Sequence, residues 1–355
     1  MGRYLIATDA WEPQVNGVVR TLSQLAKTLR RRGHVVEMVS PSDFRTVPCP
    51  SYPDIRLALA TKNAMRRRIE AFEPTRIHIA TEGPIGSAAR KAVLELGMSF
   101  TTSFHTRFPE YLRERAPIPT AWSYAYLRRF HRPASAVLVP TQTMCNELEE
   151  RGFRNTLTWT RGADRSQFRP MDPLMLDLPK PIFLTVSRLA PEKNIPAFLD
   201  LDLPGSKLVV GDGPSRADLM ARYPDVHFAG MQTGEVLARY YSSADVFVFP
   251  SKTDTFGIVL IEALACGVPF AAFPEPGPVD VLGTSEAGAI GADLKDACMR
   301  ALKLKRQDAL DRAQDFTWDA CADIFLAASD DGVGARPASH GVPTSIGPLD
   351  ARMTA

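Results

Sequence analysis

The sequence predicts an α/β protein of two Rossmann-like domains that face each other across a cleft. Three observations predict it. Apolar strand patterns alternate with amphipathic helix patterns through both halves, each half opens on a strand, a glycine-bearing loop and a helix, and a proline-rich, aperiodic stretch lies between them. Such alternation argues for parallel sheets covered on both faces, with ligands at the carboxyl ends of the strands. A chain of 355 residues also exceeds one ordinary core, so two domains are expected.

The first unit is the strand RYLIATD, the loop PQVNGV and the helix VRTLSQLAKTLRRRG, in which Leu22, Leu25, Ala26 and Leu29 recur at helical spacing and Gly33 suits a C-terminal cap. HVVEMVS is the next strand. Gly17 would let backbone N–H groups at the helix start approach a phosphate, although a lone glycine there is more often a plain turn. Farther on, Glu82 ends the strand pattern HIA, and His105 follows an apolar strand in TTSFHTRFPEY. A lone histidine is more often structural, but a place at a strand's carboxyl end favours a role in binding. The stretch RSQFRPMDPLMLDLPKP reads as a linker. It divides the chain into domains 1–170 and 171–330, with a last helix at about 317–329 able to pack back on the first domain. Residues 331–355, rich in Gly, Pro, Ala and Ser without apolar period, read as a disordered tail.

In the second half PIFLTVSRL, KLVVGDG, VHFAG and ADVFVFPS read as strands. Arg188 and Lys193 lie in one loop, where a guanidinium and an ammonium suit a departing diphosphate; the alternative is a surface ion pair of Lys193 with Glu192. Gly213 in GDGP reads as a tight turn on the same cleft. Most informative is TDTFGIVLIEALACGVP, with Asp254 in a strand-to-helix loop and Glu262 inside an otherwise apolar helix. A buried carboxylate needs a partner or a ligand hydroxyl. Asp254 has the simpler alternative of a helix N-cap, and a helix starting at Thr253, Asp254 and Thr255 with Gly257 would offer an anion site.

Composition narrows the classes. Five scattered cysteines without Cys-x-x-Cys spacing argue for reduced thiols and against a zinc site, and Asp9 interrupts the first apolar run too early for a signal peptide. The apolar run from Phe256 to Phe273 holds Glu262 at its centre, which argues for a buried helix followed by a strand and against a membrane span. Net charge is +2, but residues 1–170 hold 26 Lys/Arg against 15 Asp/Glu and the remainder 16 against 25. The basic half includes Arg30 to Arg32, Arg66 to Arg68, and Arg128, Arg129 and Arg132, which point to an anionic leaflet or, in the bland reading, a solvated surface. The segment AWSYAYLRRFHR, Ala121 to Arg132, mixes aromatic residues with arginine as an interfacial helix does.

VSRLAPEKN, VGDGP and the Asp254-to-Glu262 run with EALACGVP resemble the second domain of retaining glycosyltransferases of family 4. PQVNGV, FHTRFPEY, VPTQTM and RGADRSQFRP resemble that family's first domain and hinge, so the likeness runs in order over about residues 3 to 328. TDTFG, with Asp for the commoner Glu, is similar to the branch of bacterial lipid mannosyltransferases and sulfolipid synthases. The resemblance implies the GT-B fold, a nucleotide diphosphate sugar as substrate and neither metal nor cofactor. By it Arg188, Lys193 and, from the facing domain, Gly17 hold the diphosphate. Asp254 binds sugar hydroxyls, Glu262 binds the ribose and His105 positions the sugar. Gly213, Thr255, Phe256 and Gly257 complete the donor site, while Asn16, Glu82, Arg107 and Tyr111 are candidates for the acceptor. Asp200 and Asp202 mimic a metal-binding DxD, but follow a helix in a linker.

The expected reaction moves a hexose or uronic acid from a UDP- or GDP-sugar to a membrane lipid, diacylglycerol first, by front-face displacement with retention. Phosphatidylinositol or a polyprenyl-linked glycan with GDP-mannose is the alternative. A nucleotide-sugar epimerase shares the fold but should lack the Asp254 loop, a dehydrogenase would need a G-x-G-x-x-G, and a nucleic-acid module would not need a buried Glu262. The expected location is cytoplasmic, peripheral on the inner face of the cell membrane.

Overall fold

The computed structural model describes residues 1–14, 16–49, 52–110 and 119–330. Tyr111 and the 331–355 tail lie outside the described residues. Two six-stranded parallel sheets form the frame. The first joins β1 (Arg3–Ala7), β2 (Val35–Val39), β5 (Arg76–Ile79), β6 (Thr101–Ser103), β7 (Val137–Val139) and β8 (Thr156–Thr158) in the order β2-β1-β5-β6-β7-β8. Between them β3 (Thr46–Cys49) and β4 (Tyr52–Ala58) form a separate antiparallel hairpin. The second sheet joins β9 (Ile182–Val186), β10 (Ser206–Val210), β11 (His227–Phe228), β12 (Val246–Phe249), β13 (Phe270–Ala272) and β14 (Gly288–Ile290) in the order β11-β10-β9-β12-β13-β14.

Local chemistry explains the elements. The central strands IFLTV and VFVF are buried at every position, because helices cover both faces and no residue has to meet water. In the helix Gly17–Arg31, Leu22, Leu25 and Leu29 are buried, the Asn16 side chain accepts from the N–H groups of Val18 and Val19, and Arg30 and Arg31 stand in the last turn where the dipole favours cations.

The chain crosses back at its end. The helix Trp318–Asp330 leaves the second domain and packs on the first, where Trp318, Cys321, Ala322 and Phe325 join Tyr4, Leu22, Leu25 and Trp159 in one core. Trp159 Nε1 donates to the Cys321 carbonyl at 2.9 Å. Gly162 makes room for the crossing, since a Cβ there would lie 2.4 Å from the Trp318 nitrogen.

The basic clusters are largely balanced within the fold, which corrects the picture of a uniformly cationic face. Arg31 and Arg32 pair with Asp319 and Asp323 of the returning helix. Arg66 meets Glu70 and Glu95, and Arg68 meets Glu37 and Asp43. The helix Thr120–His131 differs: it buries Tyr124, Leu127 and Phe130 and exposes Trp122, Tyr126, Arg128 and Arg129, with Arg132 beyond. Among the described residues no helix is long and apolar enough to cross a membrane.

Candidate active site

In the second sheet the strand order reverses between β9 and β12, which opens a crevice at their carboxyl ends. The loop after β9 carries Arg188 and, in the short turn Pro191–Lys193, Lys193; the loop after β12 carries Asp254. Lys193 Nζ donates to Asp254 Oδ1 at 2.6 Å, with each side chain about one-fifth exposed (21% and 20%). This corrects two alternatives. Lys193 takes Asp254 and not Glu192 as its ion-pair partner, and Asp254 is no helix cap because the helix begins only at Ile258. Gly257 is the N-cap at φ 83°, a conformation that favours glycine, and a Cβ there would press to 2.8 Å on the Phe249 ring. Gly213 lies against the Arg188 loop, since a Cβ would come within 2.4 Å of the Leu189 carbonyl.

Glu262 is 1% exposed on the helix Ile258–Ala265. Burial pushes its carboxyl above the usual range, and the Arg20 guanidinium and Tyr241 hydroxyl oppose that shift. Arg20 Nη1 reaches from the first domain to Oε1 at 2.5 Å, and Tyr241 donates to Oε2 at 3.2 Å. Both oxygens therefore have protein partners, and the expectation that Glu262 serves ribose hydroxyls requires it to share them.

On the facing side His105 follows β6, and its backbone carbonyl accepts from Thr255 Oγ1 at 2.7 Å, so the loop after β12 touches it across the cleft. Its Nδ1 lies 3.3 Å from Arg161 Nη2, while its Nε2 is buried and without a partner among the described residues. Burial, with Arg161 next, drives the His105 pKa well below 6.5 and keeps the ring neutral.

Other expected residues are placed differently. Asn16 caps its own helix, so the helix-start N–H groups of Val18 and Val19 that Gly17 was to bring to a phosphate are already engaged. Gly17 itself faces Ile258, with an ideal Cβ 3.8 Å from its Cδ1. Glu82 Oε1 is 3.1 Å from His131 Nε2, and Arg107 grips Glu147 at 2.8 and 2.9 Å, so both candidates for the acceptor hold neighbours instead. Phe256 is 5% exposed and its ring packs against Phe316 in the core. Asp200 bonds Tyr223 and lies 3.5 Å from Arg222, and Asp202 pairs with Lys295, so the DxD look-alike is a set of surface contacts.

Sequence reasoning missed Arg20, Tyr241 and Arg161. Arg20 lies one helical turn after Gly17 and so shares its cleft-facing side, which was a readable signal. Arg161 opens the motif RGADRSQFRP, which gave its place but not its partner, and Tyr241, in ARYYSSAD, gave no signal.

Residues 15–167 match the family model described as Glycosyltransferase Family 4, and residues 180–304 match the model for Glycosyl transferases group 1. The chain belongs to glycosyltransferase family 4. This glycosyltransferase is 29% identical over 314 residues to a GDP-mannose-dependent alpha-mannosyltransferase of Mycobacterium tuberculosis, covering 81% of this chain and 83% of that protein. It is 28% identical to a sulfoquinovosyl transferase of Arabidopsis thaliana, covering 83% of this chain and 64% of the relative. An alpha-monoglucosyldiacylglycerol synthase of Streptococcus pneumoniae is 25% identical, with coverage of 83% and 77%. Among solved structures, the fold of the glycosyltransferase matches sucrose-phosphate synthase from Thermosynechococcus elongatus with a TM-score of 0.73 at 21% identity, covering 92% and 97% of the two chains. Anabaena HepE in complex with UDP-glucose matches at 0.68 and 15%, covering 93% and 100%. These are GT-B glycosyltransferases, and this chain has the GT-B fold.

Proposed function

We propose that the protein transfers a hexose or uronic acid from a UDP- or GDP-sugar to a membrane lipid, with retention at the sugar and without a metal ion. The observation that carries this reading is the Lys193–Asp254 pair at the switch point of the second sheet, next to Thr255 and its bond to His105 across the cleft. Lys193 and Arg188 neutralise the diphosphate as it leaves, Asp254 turns from the ammonium to the sugar hydroxyls, and His105 gives its Nε2–H to the sugar. The leaving phosphate oxygen takes the acceptor's proton as the new glycosidic bond forms on the face it has left.

A lipid acceptor is supported by the relatives named for sulfoquinovosyl transfer and for monoglucosyldiacylglycerol synthesis. The exposed rings of Trp122 and Tyr126 (73% and 51%), on one helix with Arg128 and Arg129 and followed by Arg132, add a surface suited to an anionic bilayer interface. That patch is smaller than the charge count of the first half implies, because Arg31, Arg32, Arg66 and Arg68 have acidic partners. GDP-mannose is a second reading of the donor, with phosphatidylinositol or a polyprenyl-linked glycan as acceptor, because the mannosyltransferase likeness spans both domains. Peripheral attachment to the inner face of the cell membrane follows from a cytosolic donor meeting a lipid acceptor.

Incubation with labelled UDP- and GDP-sugars and a total lipid extract tests the proposal. A labelled lipid from one donor is the expected product, and its anomeric configuration tests retention. Conversion of the donor to its epimer with no labelled lipid would return the epimerase reading and end this one.

A further inference from the structure

Arg161 follows β8 and is 3% exposed, yet no carboxylate lies within ion-pair distance of it among the described residues. Carbonyls and rings surround it instead. Its Nη1 donates to the carbonyls of Trp159 and Thr160 at 2.5 and 3.2 Å, and its guanidinium lies 4.4 Å over the Trp159 ring. Nη2 meets Nδ1 of His105 at 3.3 Å. Arginine carries only donors and stays protonated, so this contact is a hydrogen bond only if Nδ1 is the acceptor. The ring proton must then sit on Nε2, the buried atom without a partner. With Thr255 holding the His105 carbonyl, the residue is tied at its backbone and at one ring nitrogen, and one N–H is left to give.

We propose that Arg161 is a positioning residue that locks His105 in its neutral Nε2–H form, so that the ring serves the sugar donor as a hydrogen-bond donor and takes no proton in the reaction. The inference rests on the reading that His105 lies against the transferred sugar. The charged and titratable groups facing the ring agree with it: Arg161 from the loop after β8, His78 on β5 and His131 at the end of the helix Thr120–His131 all disfavour a second proton. Glu82, the carboxylate beside His131, is occupied by that ring. Proton removal from the acceptor then falls to the departing phosphate, because His105 has no vacant basic nitrogen.

Imidazole nitrogen resonances of the labelled protein, assigned with His105→Gln, read the tautomer directly. Between pH 5.5 and 8, His105 should show the Nε2–H form and no titration. Arg161→Met keeps the packing over Trp159 and removes the donor; it should give mixed tautomers and about a tenfold lower kcat at little changed donor KM, while burial, which remains, still holds the ring neutral. Arg161→Lys should recover most of that loss. An Nδ1–H ring, or a His105 titrating near neutrality in the unaltered protein, overturns the proposal, and that measurement does not depend on the variants folding. His105→Ala separates the two layers. Unchanged kcat and donor KM there would sink the contact with the sugar while leaving the tautomer lock standing.

Discussion

Glu262 and Arg161 are buried charges on opposite sides of one cleft, 1% and 3% exposed, and the protein stabilises them in different ways. Glu262 has an opposite charge, Arg20 from the other domain, with the Tyr241 hydroxyl on its second oxygen. Arg161 has carbonyl dipoles and an aromatic face. The difference follows from the groups. A carboxylate concentrates its charge on two atoms and needs strong donors there, whereas a guanidinium is delocalised, weakly hydrated and stacks on rings. Burial draws Arg161 down to about 10, which leaves it a cation at neutral pH. The contrast separates two uses of charge at the cleft: Glu262 joins the domains, and Arg161 orients a neighbour.

Lys193, about one-fifth exposed, is the third case, a charge that the proposed function keeps for the reaction, and its removal should have the largest effect. Lys193→Ala is expected to lower kcat about 10²- to 10³-fold, as loss of one well-placed charge donor does elsewhere, with unfolding by urea unchanged. Full turnover in that variant would break the assignment of the crevice. Arg20→Met should show the opposite signature. Glu262 is left buried without its counter-charge, at a cost of about 3 kcal/mol in the stability of the joined domains, read by urea denaturation. Wild-type stability in Arg20→Met would mean that the interdomain pair is not what keeps Glu262 buried.

Acid should test the neutral buried groups. His78, between Thr101 and Ser103, is pushed by burial from 6.5 to about 3. Its folded value lies below its unfolded one, so the unfolded chain binds the extra proton first. The stability it contributes is whole above about pH 6.5 and falls as pH drops towards 3, by about 2 kcal/mol at pH 5. Denaturation of His78→Gln at pH 7 and pH 5 should show a correspondingly flatter decline; an unchanged slope would place the acid sensitivity elsewhere. Smallest is Thr255→Val, which removes one cross-cleft hydrogen bond of about 1 kcal/mol and should raise the donor KM several-fold. If KM does not move, the Thr255 contact does not help to close the cleft over the donor.

The positions of the loops at the crevice were legible because they are local. Arg188 and Lys193, or Asp254 and Glu262, are held within one loop or one loop-and-helix by short spacing, and the strand patterns on either side fix where those loops emerge. The roles given to Asn16, Glu82 and Arg107 fared differently, because each side chain was free in the sequence to find a ligand and in the structure finds its own helix, His131 or Glu147. Phe256 belonged to a readable motif, yet its ring turns into the core beside Phe316.

The sequence by itself determined two α/β domains, their carboxyl-end loops and the chemistry those loops carry, because periodicity and spacing act over a few residues. Tertiary structure alone decided which charges meet. Arg31 finds Asp319 across 288 residues, Arg20 finds Glu262 across the cleft, and Arg161 finds His105 from two strands away in the sheet. Side-chain charge has no period, so its partners are set only when the helix Trp318–Asp330 returns to the first domain and the two sheets close on each other.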